Sequence, residues 1–140
     1  VTMSERRTAL VTGASRGIGR AIADALARQG LQVIGTSTTD AGTAALDAAL
    51  KVHGPDHGAL QLDVTDPASL AGFFEALTAR GLAPLVLVNN AGITRDNLLM
   101  RMKDEEWRQV IDANLGSIFA LSKHFIRGMI KARWGRIVNI

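Results

Sequence analysis

Residues 8–19 read TALVTGASRGIG: an apolar run, a glycine-rich turn, then the start of a helical pattern. Gly13, Gly17 and Gly19 stand at the spacing G-x-x-x-G-x-G. Glycine lets the backbone turn sharply and come close to whatever it faces. A helix that opens straight after such a turn presents unpaired N–H groups and the positive end of its dipole. The glycines by themselves fit two readings, a tight strand-to-helix turn without a ligand or a cradle for a pyrophosphate. What lies around the loop decides between them.

Working outward, further apolar runs fall at residues 32–36 (QVIGT), 59–62 (ALQL), 85–89 (LVLVN) and 136–140 (RIVNI). Most are apolar at successive positions, the pattern of parallel strands covered on both faces. Between them lie amphipathic stretches. Ile18, Ala21, Ile22, Ala25 and Leu26 form one stripe, and Gly30 stands where a C-capping glycine belongs. Asp66 and Pro67 open a helix carrying Leu70, Phe73, Phe74 and Leu77. Asp104 starts a long helix through Trp107, Val110, Ile111, Leu115, Ile118, Phe119 and Phe125. Strand and helix alternate four times and end on a fifth strand. This is an α/β, doubly wound parallel sheet, the Rossmann arrangement, in one domain over residues 1–140. A glycine loop at its first strand-to-helix junction is the cradle and not the empty turn.

Bulk properties narrow the function. Of the 140 residues, 47% are apolar and 21% charged, a globular balance with room for a core. A net charge of +3 with few aromatics argues against nucleic acid as the main partner. There is no cysteine, which excludes disulfides and thiolate metal sites and suits a reducing, cytoplasmic setting. The opening residues mimic a signal peptide, but Gly13, Ser15 and Arg16 interrupt the apolar run, which reads as a first strand. No run approaches the ~18 residues of a membrane span. Met3 reads as the natural start, with Val1 and Thr2 added before it. His53 and His57 are separated by Gly54 and Pro55, so they cannot share a helix face; a solvated loop is expected, with no metal site. His124 is expected to decorate a helix surface.

The choice of nucleotide is a question of charge. Sites for NAD place a carboxylate at the end of the second strand, on the ribose hydroxyls. Here that strand ends Gly35, Thr36, Ser37, Thr38 and Thr39, the first acid is Asp40, and Arg16 sits in the glycine loop. Hydroxyls with an arginine suit a 2′-phosphate, hence NADP; the alternative is that Arg16 is solvated and Asp40 swings in. In LVLVNNAG, Asn89 and Asn90 follow an apolar strand and need partners, since an unpaired buried amide costs about 1–3 kcal/mol. Asn89 reads as a structural pin and Asn90, with Ala91 and Gly92, as the cofactor contact. Asn114 lies on the apolar stripe of its helix, where it faces the core or a cavity in it.

With these residues assembled, the chain resembles the short-chain dehydrogenase/reductase family. TGASRGIG (12–19) is similar to its cofactor loop, LDVTD (62–66) to its adenine-side segment and NNAG (89–92) to its sheet motif. The stretch 93–102, ITRDNLLMRM, resembles in particular the bacterial reductases that act on 3-oxoacyl groups carried by acyl carrier protein in fatty acid synthesis. The resemblance implies that Gly13, Ser15, Arg16, Gly17, Ile18 and Gly19 cradle the pyrophosphate. It implies that Thr38 faces the 2′-phosphate, that Asp63 and Val64 face the adenine, and that Asn90, Ala91 and Gly92 line the inner ribose and nicotinamide. It places Asn114, within DANLGSIF, in a catalytic tetrad, holding a helix kink and a water of the proton relay. The two long helices, from Asp104 and from Asp66, carry more apolar surface than one sheet face covers, which suits a homo-oligomer, and the resemblance implies a tetramer formed partly through the helix from Asp104.

In the family the fifth strand leads to a catalytic Ser and then a Tyr-x-x-x-Lys. This sequence has no tyrosine, and its lysines are Lys51, Lys103, Lys123 and Lys131. The expectation is therefore the N-terminal part of a longer enzyme, its fifth strand left as an uncovered edge. The rival expectations are a reductase of acetoacetyl-CoA or small ketones, and a nucleotide-binding fragment without turnover. Arg127, Lys131, Arg133 and Arg136 gather basic charge that suits an acidic carrier protein, or simply a helix C-terminus.

Overall fold

The computed structural model describes residues 6–140; Met3, read above as the natural start, lies outside them. Five strands form one all-parallel sheet in the order β3-β2-β1-β4-β5. They are β1 (Thr8–Val11), β2 (Gln32–Ser37), β3 (Gly58–Gln61), β4 (Val86–Asn89) and β5 (Arg136–Asn139). Each lies within about a residue of its apolar run. The helices are α1 (Gly17–Arg28), α2 (Asp40–Lys51), α3 (Pro67–Ala79), α4 (Asp104–Ile111) and α5 (Ser117–Ala132). Among the described residues no helix is long and apolar enough to cross a membrane.

Successive strand residues serve opposite faces, which is why the runs are apolar throughout. Ala9 and Val11 of β1 join a cluster with Ala23 and Ala27 of α1 and Leu46 and Leu50 of α2. Leu10, between them, faces the other layer, with Phe73 and Leu77 of α3 and Leu121, Phe125 and Met129 of α5. Each fully buried leucine contributes about 1.5–3 kcal/mol of hydrophobic stabilisation. Strand order reverses at β1, between β2 on one side and β4 on the other. The turns after β1 and β4 therefore diverge at the C-terminal edge and open a crevice there.

Three expectations are corrected. The helix from Asp104 is not continuous: residues Asp112–Gly116 form a π turn between α4 and α5, and Ser117 Oγ donates to the Ala113 carbonyl at 2.6 Å beside it. The extra residue in that turn changes the facing of the stripe. The core side becomes Ala113, Ser117, Leu121, Phe125 and Met129, while Trp107, Leu115 and Phe119 are 59–67% exposed. The histidine pair is not solvated. His57 is 2% exposed; its Nδ1 accepts from the Val33 N–H at 3.1 Å, and His53 Nε2 lies 3.0 Å from Asp24 Oδ1. His124 is more than decoration, for its ring stacks on Phe74 with centroids 3.5 Å apart. The fifth strand is the exposed edge, bonded to β4 alone.

Candidate functional site

The crevice at the switch point is a cleft of about 1130 Å³, slightly above the usual range of about 300–1,000 Å³ for small-molecule sites. Its floor is the glycine loop. Gly13 and Gly17 hold φ near +60° (+61° and +60°), where other residues are strained. At Gly19 a Cβ would fall 2.3 Å from the Gly13 carbonyl oxygen and 2.4 Å from Asn90 Nδ2, so no side chain fits. Helices α2 and α3 are capped by side chains: Thr39 accepts from the Gly42 N–H and Asp66 from the Ala68 N–H. Helix α1 has no such cap at Arg16. Its first N–H groups are left for an anion at the mouth of the cleft.

Two threonines lock the loop in place. Thr12, just past β1, is 1% exposed, and its hydroxyl accepts from the N–H groups of Asn90 (3.1 Å) and Ala91 (3.0 Å). Thr36 Oγ1 accepts from the Gly13 N–H at 3.2 Å. Asn90 itself donates from Nδ2 to the carbonyls of Thr12 (3.1 Å) and Gly13 (3.0 Å). The residue read as the cofactor contact thus also clamps β4 to the glycine loop, sharing the pinning role given to Asn89. Asn89 Nδ2 donates to Asn139 Oδ1 at 2.9 Å, tying β4 to β5, while its own Oδ1 is buried without a hydrogen-bond donor among the described residues. In sequence, Thr36 stands only among the hydroxyls at the end of β2 and Thr12 has no role of its own; that both hold backbone N–H groups is not visible locally, because a Thr at a strand end reads as ordinary β propensity.

The cleft brings together Gly13, Ser15, Arg16, Gly17, Ile18, Gly19, Thr38, Asp63, Val64, Asn90, Ala91 and Gly92. Ser37, Arg95 and Gln109 also line it. Asp63 uses one carboxylate oxygen on the Thr65 N–H and hydroxyl (2.9 and 2.7 Å), fixing the turn after β3. Asn114 stands apart from that set. It is exposed and does not face the core, contrary to the stripe reading; the π turn carries it to the loop after β4. There it accepts from the Ile93 N–H at 2.8 Å and donates to the Ile93 carbonyl at 2.9 Å. Glu106 braces the same loop, accepting from the Lys103 N–H and Asn97, and those bonds hold its carboxyl below the usual range. Among the described residues no group of three or more His, Cys, Asp or Glu could hold a metal.

The model of the short chain dehydrogenases matches residues 7–140. The chain belongs to the short chain dehydrogenase family. Among its relatives, the 3-oxoacyl-acyl-carrier-protein reductase FabG of Pseudomonas aeruginosa is 54% identical over 134 residues, 96% of this chain and 54% of that protein. The enzyme of the same description from Escherichia coli is 55% identical over 136 residues, 97% of this chain and 54% of that one. A crystal structure from Agrobacterium tumefaciens, described as a candidate gluconate dehydrogenase, superposes with a TM-score of 0.89 at 37% identity, over 95% of this chain and 53% of that one. The chain spans about half the length of the curated relatives it matches.

Proposed function

We propose that residues 6–140 form the dinucleotide-binding part of a longer, single-domain NADPH-dependent reductase acting on 3-oxoacyl thioesters carried by acyl carrier protein in the cytoplasm. The observation that carries this reading is the cleft. An uncapped helix N-terminus, a glycine floor that excludes side chains and unspent polar groups meet at the sheet's switch point. The 54–55% identity to reductases of that description supplies the substrate class.

The residues present fit a nicotinamide dinucleotide. The α1 N-terminus with Ser15 and Gly17 would hold the pyrophosphate, Asp63 and Val64 would flank the adenine, and Asn90, Ala91 and Gly92 would border the nicotinamide side. NADPH is favoured over NADH by one feature. Ser37, Thr38 and Arg16 line the cleft, whereas Asp40 is not among the lining residues and opens the first turn of α2. No carboxylate at the end of β2 then opposes a 2′-phosphate. A bound nicotinamide supplies the hydride. Asn114 orients the loop after β4 through the Ile93 peptide and keeps the π turn in register with it. Its proposed place beside the proton relay follows the family resemblance. The 140 residues contain no tyrosine, so within them the chemistry stops at binding and orienting the cofactor.

Two surfaces complete the proposal. Trp107, Leu115, Phe119, Ile126 and Ile130 form an uncovered apolar set on α4, the π turn and α5, which suits a homo-oligomer, a tetramer by the family resemblance. Arg127, Lys131, Arg133 and Arg136 cluster at the end of α5 without an acidic partner among the described residues, and Arg136 lies 4.7 Å over the Trp134 ring. That cluster would meet the acidic carrier protein. The assay is NADPH oxidation by the whole enzyme with a carrier-bound 3-oxoacyl substrate and with acetoacetyl-CoA. Preference for the carrier-bound substrate, lost on Arg133→Glu, is expected. Equal turnover of both in both proteins would transfer the reading to a reductase of CoA esters or small ketones.

A further inference from the structure

The turn that leads from β2 into α2 is crowded in a way that its backbone does not explain. Gly42 sits three residues into α2, where its N–H donates to Thr39 Oγ1 at 3.0 Å. It does not hold the positive φ that calls for glycine. Glycine is among the least favourable residues for a helix. Space is what demands it: a Cβ there would lie 2.3 Å from Ser37 Oγ and 2.9 Å from Thr39 Oγ1. Ser37 is 6% exposed and lines the cleft. Its backbone cannot yield, because the Ser37 carbonyl accepts from the Leu62 N–H at 2.9 Å and the next carbonyl, Thr38, accepts from Gln61 Nε2 at 3.0 Å. Only the hydroxyl is free to move. No other described side chain hydrogen-bonds it, and the space it occupies is left open by the missing Cβ of Gly42.

We propose that Gly42 is a positioning residue for nucleotide discrimination, leaving the Ser37 hydroxyl the space in which it meets the adenosine 2′-phosphate. The proposal rests on the NADP reading above, which already places Ser37 on the phosphate side, and adds to it Gly42 as the residue that positions that hydroxyl. In Gly42→Ala the new methyl displaces the Ser37 hydroxyl and strains the Thr39 cap, so the effect falls on the phosphate and leaves the rest of the nucleotide alone.

The test is calorimetric titration of the unaltered protein, Gly42→Ala, Ser37→Ala and the double variant with NADP⁺ and with NAD⁺. Gly42→Ala should weaken NADP⁺ by about tenfold, the worth of one hydrogen bond to a charged group, and NAD⁺ by less than about twofold. Ser37→Ala should weaken NADP⁺ selectively, by a similar factor, and in its background Gly42→Ala should add little. Parallel losses for both dinucleotides, full additivity, or an unchanged ratio in both single variants would overturn the proposal. Failure of the NADP reading looks different: the unaltered protein would then prefer NAD⁺ or bind neither, which overturns this proposal along with it. Should Gly42→Ala fail to fold, the Ser37→Ala ratio alone decides, since an unshifted ratio there removes the hydroxyl from the site.

Discussion

The two ends of the parallel sheet hold similar side chains and use them in opposite ways. At the N-terminal end, polar groups close on one another. Arg6 pairs with Asp56 and donates to the Gly30 and Leu31 carbonyls at 2.8 and 3.2 Å. Gln32 donates to the Asp56 carbonyl at 2.9 Å and accepts from Thr8 at 2.8 Å, and His57 takes the Val33 N–H. At the C-terminal end the threonines that hold the backbone are paired in the same way. The side chains of Ser15, Arg16, Ser37 and Thr38, by contrast, make no hydrogen bond among the described residues and line an open cleft. A closed network stabilises the fold and has nothing left to offer a ligand. Unspent donors over a fixed backbone are what a ligand requires.

The largest effect expected separates the two ends outright. Gly19→Val would place carbon atoms on the Gly13 carbonyl and the Asn90 amide, neither of which can retreat without breaking the clamp between β1 and β4. Nucleotide affinity should fall more than about a hundredfold, with about 1–3 kcal/mol lost from stability by overpacking. Titration with NADPH reads the first and urea unfolding the second; near-normal affinity would show that the cleft is not the nucleotide site. Thr12→Val comes next. It keeps the shape but strips the acceptor from two N–H groups, at a cost of about 1–3 kcal/mol. Because those N–H groups belong to the residues bordering the nicotinamide side, affinity and stability should fall together.

His57→Ala tests the other end. The Val33 N–H, fully buried, loses its acceptor and a cavity opens, and destabilisation of about 2 kcal/mol is expected. Nucleotide affinity should be unchanged at temperatures where the variant is folded. A matching loss of affinity would mean that the two ends are coupled, and the contrast drawn above would fail.

Much of this contrast was legible before any coordinates, and the parts that were not share a cause. Strand runs and glycine punctuation are local signals, so the sheet could be read from its five apolar runs and the glycine loop from residues 8–19, whereas Asp63, Val64 and the choice of Thr38 among the strand-end hydroxyls were reached only through the family resemblance. The roles of Thr12 and Thr36 depend on a strand dozens of residues away, and nothing in their own neighbourhood marks them. His57 looked like a loop residue because Gly54 and Pro55 stand beside it, yet the loop folds under β2 and buries the ring. The π turn at residues 112–116 is settled by contacts with Ile93 and Ala113, so helical periodicity alone put Asn114 on the wrong side of its helix. Local pattern gives the elements; pairing between distant polar groups has to be seen.

The smallest effect is a pH dependence that falls on the closed end and on one stacked ring of α5. Burial, followed by the nearby Arg6 cation and His53, pushes the His57 imidazole below its ordinary value, and only Asp56 opposes this. The geometry agrees, since the Val33 N–H occupies Nδ1, and a proton there would set donor against donor. A histidine whose folded value lies below its unfolded one, about 6.5, takes up its proton more readily in the unfolded chain. Its contribution is complete above that value and is lost as pH falls through the window beneath it. Asp24 and Asp47, where burial is outweighed by His53 and Arg20 and by Lys51 and the Ala59 N–H respectively, are held below the ordinary carboxylate value and lose theirs only in stronger acid. His124, lowered by burial against Phe74, acts in the same window as His57. Urea midpoints taken from pH 7.5 to 5.5 should therefore decline gently, His57→Gln should remove part of the slope, and His124→Gln the remainder. A slope that survives both substitutions would place the titrating group elsewhere, and a flat profile in the unaltered protein would show that the closed end tolerates the proton its geometry is built to exclude.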